Sequence, residues 1–538
     1  MTTPEVRWVA AAADIRAAEA EPLAREGEAV LMDRAAAAVA DEARGLLAER
    51  NIDAAGTRAV LLVGTGNNGG DALLAGALLA AAGATVTALL VGDSAHVRGV
   101  AALLEAGGTV LPEVARSSSE ASAGVSAATA ARGAPASRAV EALAGANLVI
   151  DGIVGLGATP GLREPATSLV AAIPASATVL AIDLPSGLDA DSGSADLPHV
   201  SAHATVSFTA PTACVLLPPA ALAAGSVTFA DVGVPVPAHE AGAPARLTDA
   251  GVAARWPVPG AGDNKYSRGV VGVIAGSEPY PGAAILACTA AIRSGAGLVR
   301  FVGPRRAQEL VLAARPEVVA VDPTLPLPRV DAWVLGPGVA DDASQEAACL
   351  AAVASGVPCV VDAGGILPVV VARAGGGAEN GEVGIGADGL LLTPHAGELA
   401  RALDAIGAGI APDEIARDPA AAARALARAA RATVLLKGAV TLVVTPEGKV
   451  WSQAEGPAWL ATAGAGDVLA GVAGTLLAAG LPADEAGAVA ASIHGRAARL
   501  ASGGGPIAAL DITEALAAIV ASLGRAIGDV LAAGGRAG

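Results

Sequence analysis

Short apolar runs that stop at glycine or aspartate recur along the chain: "AVLLVGTG", "TVTALLVG", "NLVIDGIVG" and "TVLAIDLPSG", then "GVVGVIAGS", "AWVLGPG", "PCVVDAGG" and "TVLLKGA". Between most of them lie Ala/Leu-rich stretches with helical spacing of apolar positions. Buried strands alternating with amphipathic helices predict parallel α/β sheets. Such sheets bind ligands beyond the carboxyl ends of their strands. The Gly- and Asp-rich strand ends are therefore where chemistry is expected.

A chain of 538 residues exceeds one comfortable core. Pro and Gly accumulate in "GVPVPAHEAGAPARL", residues 233–247, between two α/β series, and this marks the domain boundary. The expected division is a domain over 1–236, a linker over 237–246, a second domain over 247–531 and a flexible tail over 532–538. "ARSSSEASAGVSAATAARGAPAS", residues 115–137, is small, polar and aperiodic, and reads as a disordered surface insertion. "RAGGGAENGEVGIGADG", residues 373–389, reads as a connector.

Composition narrows the function classes. Aromatic residues make up 2%, so many small and branched aliphatic side chains must fill the cores. The net charge of −18 argues against a nucleic-acid or anionic-membrane partner, because phosphate backbones demand clustered Lys and Arg. A phosphate-bearing ligand must be held locally, by backbone N–H groups and a few cations. Cys214, Cys288, Cys349 and Cys359 show neither CxxC nor zinc spacing and read as reduced core residues. The uncharged stretch 72–92 breaks at "AAGATV" and turns β-branched, as a buried helix followed by a strand would. With no basic start or apolar centre at the amino terminus, a soluble cytoplasmic protein is expected.

In the amino-terminal half, "LLVGTGNNGGDALLAGALL" follows a strand and opens a helix, where glycines allow close backbone approach and free N–H groups attract anions. A bare glycine turn can equally be a tight connection; the double asparagine beside Asp71 is the less common feature. "VIDGIVGLGATPGLREP" and "AIDLPSGLDADSG" put Asp151 and Asp183 at successive strand ends, with Ser186 following. Each aspartate alone can cap a helix or brace a loop. Together they bring carboxylates and carboxamides to one sheet edge, which can hold a monovalent cation through oxygen ligands and still present a carboxylate for proton transfer.

These motifs closely resemble the amino-terminal domain of bifunctional NAD(P)H-hydrate repair enzymes, over roughly residues 14–236. The resemblance implies a Rossmann-like NAD(P)H-hydrate epimerase that interconverts the R and S hydrates at nicotinamide C6. It implies that Asn67, Asn68, Gly69, Gly70 and Asp71, together with Gly155, Leu156, Gly157, Ala158, Thr159, Pro160 and Gly161, contact the hydrate. Asn68, Asp151 and Ser186 would hold potassium, and catalytic Asp183 would contact the substrate near the reacting ring. Ala72 stands where the family commonly has glycine, and its methyl is expected at the helix start, tightening the pocket.

In the carboxy-terminal half, "LATAGAGDVLAG" places Asp467 at the end of a small-residue turn ahead of an apolar run. The turn resembles the anion hole of ribokinase-like kinases, whose helix N-terminal amides neutralise a phosphate in transfer while the aspartate takes a proton from the acceptor hydroxyl. Read alone, Asp467 can also be a simple cap. Proximity to the helix N-terminus is expected to keep it ionised, and the amide of Ala465 to stay available to the phosphate. "VLGPGV", "LLTPHAGELARAL" and "VLLKGAVTLVVTP" precede it in order, and no Walker motif is present. His395 lacks partners at metal-ligand spacing, so no zinc is assigned. Lys437, at a strand end, is either well placed to meet a nucleotide phosphate or an ordinary solvated lysine.

This half, from Leu247 to about Leu531, resembles the ADP-dependent NAD(P)H-hydrate dehydratase, a ribokinase-like fold. The resemblance implies that Ala283, Gly338, His395 and catalytic Asp467 touch the hydrate, and that Lys437, Gly438, Ala439, Val440, Thr441 and Gly466 bind the adenine nucleotide, ADP with magnesium. The expected partners are NAD(P)H-hydrate and ADP, with no nucleic acid or membrane, and a homo-oligomer is expected. Two rivals remain at this point: a small-molecule kinase that releases its phosphomonoester, and an amino-terminal domain that binds protein or RNA rather than catalysing.

Overall fold

A computed structural model of the chain describes residues 4–92, 94–111, 135–340, 342–375 and 389–534. Two compact units form, Trp8–Ala241 and Gly242–Gly538, and residues 4–7 join the second. The strand β1 (Val6–Trp8) accordingly lies at the edge of the second unit's sheet, whereas the expected domain limits assign residue 1 onward to the first. Most of the expected insertion at 115–137, and most of the connector at 373–389, fall outside the described residues. A helix Pro135–Ala144 begins within the insertion, and the last helix, Ala509–Gly534, runs past the expected end at 531.

Among the described residues, the first unit is built on seven parallel strands: β2 (Arg58–Val63), β3 (Thr85–Leu90), β4 (Thr109–Leu111), β5 (Leu148–Gly152), β6 (Thr178–Ile182), β7 (Ala204–Phe208) and β8 (Ser226–Ala230), in the order β4-β3-β2-β5-β6-β7-β8. Side chains alternate between its faces. Leu61 and Val63 enter one core with Met32, Val39 and Leu73 from the helices Glu28–Glu49 and Asn67–Ala81; Val60 and Leu62 enter the other with Leu143, Val149 and Leu169. Apolar residues on both faces are what a parallel sheet covered by helices requires. Strand order reverses between β2 and β5, which opens a crevice at their carboxyl ends.

The second unit adds β9 (Ala245–Leu247), β10 (Val270–Ile274), β11 (Leu298–Val302), β12 (Val319–Val321), β13 (Ala332–Leu335), β14 (Cys359–Val361), β15 (Leu390–Leu392), β16 (Thr433–Leu436), β17 (Thr441–Val444) and β18 (Val450–Gln453). Among the described residues its sheet has eleven strands in the order β1-β9-β18-β17-β16-β15-β14-β13-β10-β11-β12, parallel from β16 to β12, with antiparallel pairings of β17 to β16 and to β18. Small residues let helices approach closely here. A Cβ on Gly471 would lie 2.4 Å from the Ala287 carbonyl oxygen, so the helices Ala465–Ala478 and Gly282–Arg293 touch at backbone distance.

All four cysteines are free and buried, and burial pushes their thiols well above the ordinary range, that of Cys214 to about 12. The uncharged stretch 72–92 resolves into the helix Asn67–Ala81 and β3. Among the described residues, no helix is long and apolar enough to cross a membrane.

Candidate active sites

At the carboxyl ends of β2, β5 and β6, the first unit encloses a cavity of about 440 Å³. Asn67, Asn68, Asp71, Gly155, Leu156, Ala158 and Asp183 line it, joined by Arg16 and Glu19 from the helix Ala12–Glu26 and by Glu28 from the helix Glu28–Glu49. Asp183 sits at φ 71°, a left-handed conformation unusual for a non-glycine residue. It is fixed there by donating its amide to the Val206 carbonyl at 2.7 Å, while its Oδ2 accepts from the Leu156 amide at 2.9 Å. Burial raises its carboxyl to about 6 against that hydrogen bond.

Beneath the cavity, Asp151 is fully buried. Its carboxylate accepts from Ser186 Oγ at 2.7 Å, the Ser186 amide at 2.8 Å and the Ile153 amide at 3.3 Å, and burial raises it to about 6. Asn68 Nδ2 donates to the carbonyls of Val154 at 3.0 Å and Ile182 at 2.9 Å. Asp71 is also buried, and its Oδ1 has no hydrogen-bond partner. Burial first, then the charges of Asp183, Glu19 and Glu28, push it to about 8.

Of the three residues expected to hold potassium, Asp151 and Ser186 are hydrogen-bonded to each other, and Ser186 and Asn68 both donate to the Val154 carbonyl. Asp151, Ser186 and the Val154 carbonyl form an oxygen donor set around a buried carboxylate that has no ion pair among the described residues, and this fits a hard monovalent cation. Asn68 faces the same carbonyl with its nitrogen, so joining that set as a ligand requires its amide to turn. Among the described residues, no three His, Cys, Asp or Glu side chains cluster as a metal site.

Several glycines of the expected contact loops have another role. A Cβ on Gly69 would lie 2.2 Å from the Gly64 carbonyl oxygen, so glycine is required there by packing, whereas one on Gly70 would meet the movable end of Met32, 2.3 Å from Cε. Gly161 donates to the Gly187 carbonyl, and neither it nor Gly157, Thr159 or Pro160 lines the cavity. The Ala72 methyl, expected to narrow the pocket, is instead buried against Gly152 in the core, which leaves the cavity untouched. Sequence reasoning missed Glu19 and Glu28, because acidic residues on an amphipathic helix look like a solvated face.

In the second unit, the carboxyl ends of β14, β15 and β16 deliver Asp362, Thr393 and Lys437 to one point. Asp362 Oδ1 accepts from Thr393 Oγ1 and from Lys437 Nζ, each at 2.8 Å, and Lys437 lies 3.6 Å from Glu398. Burial lowers the Lys437 ammonium's proton affinity, but Asp362 and Glu398 outweigh it and the net shift is upward. The lysine is therefore not an ordinary solvated one: two carboxylates hold its ammonium while part of the side chain stays exposed.

The expected phosphate-binding turn packs against this cluster. Gly464 adopts φ 86° and leads into the helix Ala465–Ala478, whose first turn carries Asp467. A Cβ on Gly466 would lie 3.1 Å from Lys437 Nζ and 3.5 Å from Asp362 Oδ2, and one on Gly464 would lie 3.8 Å from Asp467 Oδ2. The Ala465 amide, expected to be available, donates to the Thr462 carbonyl at 3.3 Å. The amides that remain for an anion are those of Gly466 and Asp467, which as first-turn groups have no acceptor within the helix. Asp467 also departs from the expectation that the helix terminus keeps it ionised: burial and the charges of Asp362 and Glu398, opposed by Lys437, raise it to about 7.

Of the remaining predicted contacts, His395 pairs with Lys437 in a β-bridge, while Gly338 and Ala283 meet each other. A Cβ on Gly338, at φ 64°, would lie 2.5 Å from the Ala283 Cβ, so these two residues are in contact. His395 caps the helix Ala396–Ala405: Nδ1 accepts from the Gly397 and Glu398 amides, and Glu398 Oε2 accepts from the His395 amide at 2.8 Å. Sequence reasoning missed Asp362, although its strand-end position in "PCVVDAGG" is the same signal that marks Asp151 and Asp183. It also missed His494, a buried histidine that desolvation lowers to about 4, opposed by the Ala465 backbone.

Comparison with known proteins follows the same division. Residues 28–214 match the family model described as YjeF-related protein N-terminus, and residues 271–519 match that for NAD(P)H-hydrate dehydratase. The bifunctional NAD(P)H-hydrate repair enzyme Nnr of Mycobacterium leprae (strain TN) is 40% identical over 494 residues, covering 91% of this chain and 93% of that protein. Its counterpart in Mycobacterium tuberculosis (strain CDC 1551 / Oshkosh) is 41% identical over 478 residues, covering 88% and 90%. A crystal structure of the ADP/ATP-dependent NAD(P)H-hydrate dehydratase from Bacillus subtilis, co-crystallised with ATP/Mg2+, matches 51% of this chain and 97% of that one, at 26% identity and a TM-score of 0.45. With both domain matches in order and this identity across nearly the whole length, the chain belongs to the bifunctional NAD(P)H-hydrate repair enzymes, an amino-terminal Rossmann-like unit followed by a ribokinase-like one.

Proposed function

We propose that the chain restores hydrated nicotinamide cofactors: the first unit interconverts the R and S hydrates of NADH and NADPH, and the second dehydrates the S form at the expense of ADP, giving AMP and phosphate. The observation that carries this reading is the meeting of Asp467, two first-turn amides and the Lys437 ammonium at one helix terminus. A carboxylate poised near neutrality is a suitable base for a hydroxyl, and amides with an ammonium suit a phosphoryl group.

The hydroxyl at C6 is a poor leaving group. Asp467 takes its proton as the oxygen attacks the terminal phosphorus of ADP, which enters as its magnesium complex, and AMP departs. The amides of Gly466 and Asp467 and the Lys437 ammonium stabilise the phosphoryl charge during transfer. The ring nitrogen's electron pair then expels phosphate from C6, and loss of a C5 proton restores the dihydronicotinamide. Ala283, Gly338 and His395 are the candidates for orienting the ring.

In the first unit, Asp183 is the proton acceptor and Asn67, Asn68 and Asp71 position the hydrate over it. Asp151, Ser186 and the Val154 carbonyl would hold potassium, whose charge offsets the buried carboxylate and keeps the loop between Asp151 and Leu156 in place. The test supplies a purified mixture of both hydrate epimers and follows recovery of reduced-nicotinamide absorbance, with ADP or ATP and with potassium present or absent. Phosphorus NMR on the same reaction should show free phosphate; a stable phosphomonoester would instead identify a kinase.

A further inference from the structure

Asp362 has no part in the reading above, yet both its backbone and its side chain are held in place. It is 1% exposed. Its backbone is held on both sides: the amide donates to the Leu335 carbonyl at 2.9 Å, and the carbonyl accepts from the Gly365 amide at 3.0 Å. A Cβ on Gly336 would lie 2.1 Å from that carbonyl oxygen, so the neighbouring strand end must be glycine for Asp362 to sit where it does. Oδ1 is occupied by Thr393 and Lys437, while Oδ2 faces the turn at Gly466.

A buried ion pair is a poor device for stability alone, because desolvating both charges offsets most of their attraction. Its placement under a phosphate-binding turn points to another use. We propose that Asp362 is a positioning residue for phosphoryl transfer: its carboxylate holds the Lys437 ammonium against the first turn of the Ala465–Ala478 helix, where that ammonium meets the phosphoryl group passing to the hydrate. The proposal rests on the dehydratase reading above.

Without Asp362, the lysine's flexible stem is left with Glu398 at 3.6 Å as its remaining anchor. The same carboxylate also acts on Asp467. The charged groups facing Asp467 are Asp362, Lys437 and Glu398, from the ends of β14 and β16 and from the helix Ala396–Ala405, and the two carboxylates strengthen it as a base while the ammonium weakens it. His494 is shifted down by burial first and by the same lysine second, against the Ala465 backbone, and stays neutral.

The test compares Asp362→Asn, Asp362→Ala and Thr393→Val in the full-length chain, by steady-state dehydration of the S-hydrate with ADP from acid to mildly alkaline pH. Asparagine keeps an acceptor for Thr393 and Lys437 but removes the charge, so the acid limb of kcat should move to lower pH by about one unit. Alanine removes the anchor as well, and kcat should fall about 10²-fold with KM for the hydrate little changed. Thr393→Val should give a smaller loss without moving the limb. Epimerisation by the same preparations reports folding of the chain, and melting curves report the second unit. Should Asp362→Ala misfold, the limb of Asp362→Asn decides. A folded Asp362→Asn with the wild-type limb, or a folded Asp362→Ala with wild-type kcat, overturns the proposal. Failure of the wild-type protein itself to regenerate reduced nicotinamide would overturn the dehydratase reading instead.

Discussion

Both units gather carboxylates at the carboxyl ends of parallel strands, but they neutralise them differently. In the first, Asp151 and Asp183 are held by backbone amides and a hydroxyl, Asp71 has an unpartnered oxygen, and none of the three has an ion pair among the described residues. In the second, Lys437 lies between Asp362 and Glu398, directly under the turn that carries Asp467. The contrast follows the two reactions. Epimerisation returns a hydroxyl to the same carbon and moves no net charge, so a carboxylate held by backbone donors suffices. Dehydration passes through a phosphoryl anion, and the fold brings its own ammonium to meet it.

The hardest test of this division is Asp467→Asn. It should lower dehydration by roughly 10²- to 10⁴-fold, the range for loss of a positioned general base, while epimerisation by the same protein stays at its original rate. Full dehydration by that variant would remove Asp467 from the chemistry and dissolve the contrast. Asp183→Ala is the reciprocal case. Epimerisation should drop by about 10²-fold or more, so a mixed hydrate pool stalls once the S form is consumed, beyond the spontaneous interconversion seen in a blank. Complete and undelayed consumption would show that Asp183 is not the proton acceptor.

The pH profiles sharpen the comparison further. Each aspartate must be ionised to accept a proton, so each rate falls as pH drops through the carboxyl's own value, about 7 for Asp467 and about 6 for Asp183. Lowering pH from 8 to 6 should therefore slow dehydration roughly tenfold and epimerisation only roughly twofold. Acid limbs that coincide would mean that the two carboxylates do not feel the different surroundings described above.

Much of this was legible because strand ends announce themselves. Apolar runs closed by Gly or Asp located Asp151, Asp183 and Lys437, and the alternation around them gave the α/β class of both units. What failed to show was anything decided by tertiary packing. "NNGGD" reads as a contact loop, yet Gly69 is glycine because the Gly64 carbonyl leaves no room for a side chain. Ala72 turns into the core, and the Ala465 amide closes a local turn, because helix phase and turn geometry are not written in composition. Lys437 was found but its partner was not, since Asp362 lies at the end of another strand and the pair exists only once β14, β15 and β16 are aligned. The ionisation of Asp467 was misjudged for the same reason: the helix terminus is local, whereas Asp362 and Glu398 come from elsewhere in the chain.

The smallest expected effect separates the two sites by stability rather than rate. Asp71 is buried and raised to about 8, so the native state binds its proton more tightly than the unfolded chain does. Its stabilising contribution is complete below the ordinary carboxylate range and is lost as pH climbs from about 4 through about 8. Asn in its place cannot ionise and escapes that penalty, which is nominally a few kcal/mol but is reduced by about 1–3 kcal/mol for the amide donors it leaves unpaired. Asp71→Asn should therefore melt a few degrees above wild type at pH 8, with the gap closing or reversing by pH 5. At Asp362 the sign is opposite, because removing that charge leaves the partly buried Lys437 ammonium with Glu398 alone at 3.6 Å. If Asp71→Asn and Asp362→Asn shift the melting temperature in the same direction at pH 8, the two carboxylates are neutralised alike and the contrast between the sites is wrong.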